Sequence, residues 1–243
     1  MRSCANREPR NVTNHLYKNE MTNLKMLAVW LSRIGHCRGF GVQSPSAYAF
    51  IRYVINEHYP YYAYDDMLKA WPDIKGLRLK LCRLYFRLAN FAQAQQWTWC
   101  GTLPEAEKQH IGRGCHNTKV ETTQAAQASQ PSQPSQPAML SAIYANATVG
   151  LVSLSATEDE RQMFAEQFVS AKACNRDNGN AHASAGNEEK TMLIIEGIGY
   201  DATAKAIWQK LVNDSRVGIT FDLYYCGIAF FDKRFKQNYI VNF

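Results

Sequence analysis

The chain contains no run of eighteen apolar residues, so the sequence predicts no membrane-spanning helix. It contains no Cys-x-x-Cys pair either. Its seven cysteines (Cys4, Cys37, Cys82, Cys100, Cys115, Cys174 and Cys226) are scattered at spacings that suggest no disulfide framework. Reduced thiols are the expectation. The opening MRSCANREPRNVTNH lacks the apolar core of a secretion signal, which makes a cytoplasmic location the default expectation. Acidic residues are scarce in the first hundred positions, with 14 Lys/Arg against 6 Asp/Glu, although the whole chain carries only +6. A basic amino-terminal third is what nucleic acid or an acidic protein partner would meet. Here the basic residues alternate with apolar ones at helical spacing, which predicts a solvated helix face instead. What the chain does have is length. At 243 residues it can bury a sizeable single core, or one domain with a small helical cap.

Hydrophobic periodicity divides the sequence near residue 94. Residues 22–34 form a short amphipathic pattern with Leu24, Leu27, Ala28, Leu31 and Ile34 on one stripe. Ser44-Pro45 is a helix start, since the hydroxyl can cap free N–H groups and proline loses nothing at the first helical position. Ala47, Phe50, Ile51, Val54 and Ile55 then follow at core spacing up to Tyr59-Pro60. A longer helix is predicted over 74–94, with Leu77, Leu81, Leu84, Tyr85, Leu88 and Phe91 buried and its Lys and Arg residues largely elsewhere on the circumference. Beyond it come β-prone QWTWCGT, a short helix over 104–110, and a weak strand over 118–122.

The second half is read as an α/β alternation. Residues 124–137 repeat Ser-Gln-Pro and build no packed face. An apolar strand follows over 147–155, then a helix opened by the capping-box pair Thr157 and Glu160. A polar loop spans 175–190, and 191–197 (TMLIIEG) is the clearest buried strand. Asp201 caps the next helix, and strands over 218–224 and 228–232 flank a turn near Cys226-Gly227. This order predicts an α/β sheet with an antiparallel edge, residues 95–243, preceded by a helical cap, residues 1–94.

Two end segments carry a resemblance. Arg38, Gly39, Gly41, Val42, Ser44 and Pro45 lead into Tyr59-Pro60-Tyr61-Tyr62-Ala63-Tyr64, and the C-terminal part supplies Ile219, Asp222, Leu223, Gly227, Phe230, Phe231 and Phe243. Together with LCRLYFRLANF (residues 81–91) they resemble a family of bacterial class I S-adenosylmethionine-dependent methyltransferases, O-methyltransferase-like, over roughly half the chain. The resemblance implies a Rossmann-like, mostly parallel sheet with an antiparallel C-terminal hairpin and an N-terminal helical cap. It implies S-adenosylmethionine as cofactor and a small-molecule methyl acceptor. Gly101 and Thr102 stand where the family's cofactor turn lies, and Glu121, twenty residues after Gly101, stands where a carboxylate takes the ribose hydroxyls. Ser155 and Glu196 are the strand-end candidates, and Tyr62 and Tyr64 border the substrate opening.

The chain also departs from the family. Gln43 and Ser46 replace a histidine and a phenylalanine, Trp99 stands at the acidic position before the cofactor turn, and Pro104-Glu105 fills the region of a second glycine. The paired strand-end carboxylates that hold a divalent metal are replaced by Ser153, Ser155 and Glu196-Gly197, so no metal is expected. Two functions therefore stand open, a methyltransferase or a non-catalytic binding module on the same fold, and no general base is nominated. Cys100, His110, Cys115 and His116 fit no familiar zinc spacing. The tyrosines at 59, 61, 62 and 64, with Arg38 and Arg52, admit an RNA-stacking role, but aromatic packing between cap and sheet is the favoured reading.

Overall fold

The computed structural model describes residues 23–39, 41–123, 143–177, 190–231 and 236–243. The low-complexity stretch at 124–137, most of the polar loop at 175–190 and the side chain of Arg38 lie outside the described residues. Seven strands form one sheet: β1 (Gln96–Cys100), β2 (Lys119–Thr122), β3 (Val149–Val152), β4 (Met192–Glu196), β5 (Ile219–Asp222), β6 (Cys226–Phe230) and β7 (Gln237–Ile240). Their order is β2-β1-β3-β4-β6-β5-β7, and only β6 runs against the rest. The architecture is Rossmann-like, with a mostly parallel sheet and one antiparallel hairpin. Strand order reverses direction between β1 and β3. A ligand crevice is expected at such a switch point, at the carboxyl ends of the strands.

Helices cover both faces, which is why the central strands are buried at every position and apolar up to Glu196 at the end of β4. One face packs α2 (Pro45–Phe50), its continuation as a π-helical turn (Ile51–Ile55), α4 (Gly76–Ala92) and α5 (Glu105–Gly114) against Trp97, Trp99, Leu151, Ile194 and Phe230. The other packs α6 (Glu158–Asp177) and α7 (Ala202–Asn213) against Val152, Leu193, Ile195 and Ala229. The period of two along each strand sends alternate side chains to opposite faces, so two cores form from one sheet.

The local start signals work as the sequence predicts. Ser44 Oγ accepts from the Ala47 amide at 3.4 Å, Asp201 Oδ1 accepts from Ala204 at 2.7 Å, and Thr157 and Glu160 cap each other's amides at 3.3 and 2.9 Å.

Three expectations are corrected, and one helix that the sequence reading did not single out is added. The predicted 147–155 strand is only Val149–Val152, because the chain after Val152 turns to hydrogen-bond across the sheet edge. The last hairpin turns at Leu223–Tyr225, not at Cys226-Gly227, which belong to β6. Asp222 Oδ1 accepts the Tyr224 amide at 2.8 Å and holds Tyr224 at φ +69°, while Gly227 is needed because the Trp208 ring lies where a Cβ would stand. The tyrosine-rich segment is itself a helix, α3 (Tyr62–Ala70), which the aromatic run hid. Finally, the stripe on α1 (Asn23–Ser32) is not buried: Leu24 is 76 % exposed, and Leu27, Leu31 and the following Ile34 are exposed too. Among the described residues, α1 is held by Met26, which packs against the core, and by two polar ties. Arg33 bonds the Asp222 carboxylate at 2.8 Å, and Asn242 donates to the Trp30 carbonyl at 3.1 Å.

Candidate functional site

Gly101 follows β1 directly and sits at φ +98°, a conformation that favours glycine. The requirement is set by the protein itself. A Cβ there would lie 2.6 Å from Ser155 Oγ and 2.9 Å from the Ala156 amide nitrogen. Ser155 Oγ accepts the Thr102 amide at 3.0 Å, and lies 3.2 Å from the Thr102 carbonyl and 3.1 Å from Ser153 Oγ. Three of the sequence-nominated residues (Gly101, Thr102 and Ser155) therefore meet at the switch point, but they bond to one another. The amide that a bound anion would need is already occupied. Proline at the N-cap of α5 leaves no side-chain cap, and Glu105 and Glu107 place negative charge in the first turn, where a carboxylate or phosphate ligand would otherwise be drawn.

Glu196 ends β4 on the α4 face and is only 1 % exposed. Its carboxylate accepts from the Tyr85 hydroxyl, from the Leu154 amide at 3.1 Å and from the Ser153 hydroxyl. Burial raises its pKa, and the three donors oppose that rise. The residue thus clamps α4, the loop after β3 and β4 together. It is not free to orient a substrate. Trp99, the departure from the acidic position, is buried on the same face with its ring edge-on to Tyr85 at 5.9 Å.

Glu121 stands apart. It is exposed, and its Oε2 takes the side-chain amide of Gln96 at 2.9 Å. Gln96 opens β1 and is in register with Lys119, so the carboxylate is tied back toward the amino ends of the strands. Tyr62 and Tyr64 separate because residues two apart on a helix point to different sides. Tyr62 is 91 % exposed, whereas Tyr64 is buried against Tyr61 and Phe86 and accepts from Arg87 at 3.3 Å. Among the described residues no group of three or more His, Cys, Asp or Glu side chains could hold a metal ion. His110 turns its Nδ1 to the Ala106 carbonyl at 2.7 Å, and burial lowers its pKa. Burial pushes the Cys100 thiol up to about 12.

Sequence reasoning passed over a second site. A cavity of about 640 Å³ lies beneath the amino-terminal half of α4, walled by Tyr59, Tyr61 and Tyr64 on one side and by Trp30, Asn242 and Phe243 on the other. It lies beside the carboxyl edge of the sheet, since Lys80, which lines it, sits over the ring of Tyr225 in the β5–β6 turn at 5.9 Å. Lys80, Arg83 and Arg87 follow one another at i, i+3 and i+7, the spacing of one helical stripe, and that was the available signal. The stripe is not the solvated face that was expected. Arg87 is 7 % exposed and donates to the Val54 and Ile55 carbonyls at 2.6 and 3.0 Å, closing the end of the π-helical turn.

No protein-family model matches the chain, and no curated protein aligns with it significantly.

Proposed function

We propose that this protein is methyltransferase-like in fold and acts by binding a ligand, not by transferring a methyl group. The strand order with a single reversed strand and the two end segments support the methyltransferase-like layout. The observation that carries the non-catalytic reading is Ser155, which fills the Gly101–Thr102 turn and uses its free amide. Glu121, tied to Gln96, is poorly placed to reach a ribose at the carboxyl edge, and Glu196 is consumed by its own clamp. Fold alone does not decide function.

One observation favours a second reading. Gly101, at φ +98°, is a glycine turn at a topological switch point, the place where this architecture binds nucleotides. In that reading S-adenosylmethionine donates its methyl group to a small acceptor by in-line displacement, and the protein contributes mainly alignment of the two.

Calorimetric titration of the full chain with S-adenosylmethionine and S-adenosylhomocysteine separates the readings. The expected result is no saturable heat up to about 1 mM, the level of a contact worth about 4 kcal/mol. Saturable binding that disappears in Gly101→Val, with the fold intact by circular dichroism, overturns the binding-only reading.

A further inference from the structure

The geometry points to the cavity beneath α4 as a binding site for a small organic anion, a carboxylate or phosphate carried on a flat apolar body. The inference deepens the binding reading above by naming the ligand class. Its ground is a set of donors that have no acceptor paired to them. The buried Asn56 Nδ2 and Arg83 Nε both lack a hydrogen-bond partner among the described residues, and both residues line this one cavity. Lys80 lines it too. Its Nζ stands 4.4 Å from the centre of the Phe243 ring, and among the described residues no carboxylate lies within ion-pairing distance of Lys80 or Arg83. All three groups are donors, so the partner that satisfies them together is an acceptor with several oxygens and negative charge. Buried donors without a partner are costly, so a ligand oxygen that reaches them is favoured.

The walls fix the rest of the ligand. The Tyr64 ring lies under the Arg83 guanidinium at 4.9 Å, and Tyr59, Tyr61 and Tyr64 meet edge to face at 5.2 and 5.3 Å. Such a lining suits a planar apolar body next to the charged group, and the volume lies within the usual range for small-molecule sites. The cavity also carries two acidic residues and a histidine. Glu57 is half-buried with Oε1 turned onto the Tyr59 amide at 2.9 Å, and Asp65 and His58 are exposed. Asp65 therefore sits toward the rim, while Glu57 is partly exposed like Lys80 and Arg83 and has one carboxylate oxygen engaged by the Tyr59 amide. Burial and the neighbouring Arg87 lower the Lys80 pKa, and the charge of a bound anion opposes that shift. A concave wall in which Tyr64 is buried fits a small molecule better than an RNA strand, whose bases stack on rings open to solvent.

The test uses the full chain with 2-naphthoate and phenyl phosphate, each against a neutral partner of the same shape, 2-naphthamide and benzyl alcohol. Binding is read by tryptophan fluorescence and calorimetry. One saturable site is expected for at least one anion, with the neutral partner at least tenfold weaker. Lys80→Gln and Arg83→Gln should each weaken the anion about tenfold, Lys80→Arg should restore most of the loss, and Tyr62→Ala should change nothing. Each tenfold step corresponds to about 1.4 kcal/mol. Absence of saturable binding to both anions, equal binding of anion and neutral partner, or indifference to Lys80→Gln in a variant with unchanged melting temperature overturns the proposal. So does an oligouridine that binds with loss in Lys80→Gln while neither small anion binds. Because the S-adenosylmethionine titration probes the β1–β3 edge and this one probes the α4 cavity, each can fail without the other.

Discussion

Replacing Tyr85 by phenylalanine removes one oxygen and leaves the ring edge-on to Trp99 where it was. What is lost is a donor to a carboxylate that is almost wholly enclosed. A hydrogen bond to a charged group is worth about 1.5–3 kcal/mol, and the Leu154 N–H and the Ser153 hydroxyl remain to offset the burial of Glu196. For a chain of this size that loss lowers the melting temperature by roughly 3–12 °C. The pH dependence gives a sharper check. Burial raises the Glu196 pKa, so this group favours the fold most at low pH and its ionisation costs stability as pH rises through the folded pKa. The Tyr85 hydroxyl reduces that cost by stabilising the ionised form. Its removal should therefore hurt most at pH 8 and progressively less toward pH 5. Urea unfolding followed by circular dichroism at several pH values measures this directly, and Tyr85→Phe on a Glu196→Gln background isolates the coupling between the two residues. A loss below about 0.5 kcal/mol at pH 8, or one that does not change with pH, refutes the view of Glu196 as a charged clamp.

Arg87→Met should destabilise the fold by about 2–4 kcal/mol in chemical denaturation, since it strands the Val54 and Ile55 carbonyls and the Tyr64 hydroxyl. Arg87→Lys should recover little of this, because one ammonium does not reproduce the fork that reaches both carbonyls. Lys172 is buried, with its Nζ on the Ala145 carbonyl at 2.9 Å, and burial holds its pKa down at about 8 against 10.5 in the unfolded chain. Between those values the unfolded state binds more protons, so Lys172 contributes a gain in stability from pH 8 toward 10.5. The difference between wild type and Lys172→Met should shift in favour of the wild type over that window, while the buried thiols of Cys82, Cys100 and Cys226 pull both proteins the other way.

The readable parts of the sequence were those decided within a few residues. Ser44-Pro45, Thr157 with Glu160, and Asp201 each act on an amide three positions away, and each cap forms. The 191–197 strand was legible because both of its faces are covered, so no polar position interrupts it before Glu196. The candidate site was legible only as a location. Gly101 and Thr102 do lie at the strand ends, but that Ser155 would fill the turn depends on a loop more than fifty residues later. The Lys80–Arg83–Arg87 stripe was visible as charge, and charge on a helix usually means water. Nothing local says that α3 and the chain after β7 fold over it. The apolar stripe of α1 misled for the opposite reason, because amphipathic spacing reports a capacity to be buried and not the presence of something that buries it.

The two ties of α1 have a consequence for biosynthesis. Arg33 reaches Asp222 across 189 positions, and Asn242 reaches the Trp30 carbonyl across 212. A ribosome adding roughly 5–20 residues per second delivers those partners only about 10–40 s after the helix has emerged. Throughout that interval Leu24, Leu27 and Leu31 stand in the open with no anchor behind them. The earliest helix among the described residues is thus among the last to be fastened, and its apolar stripe is left open in the meantime.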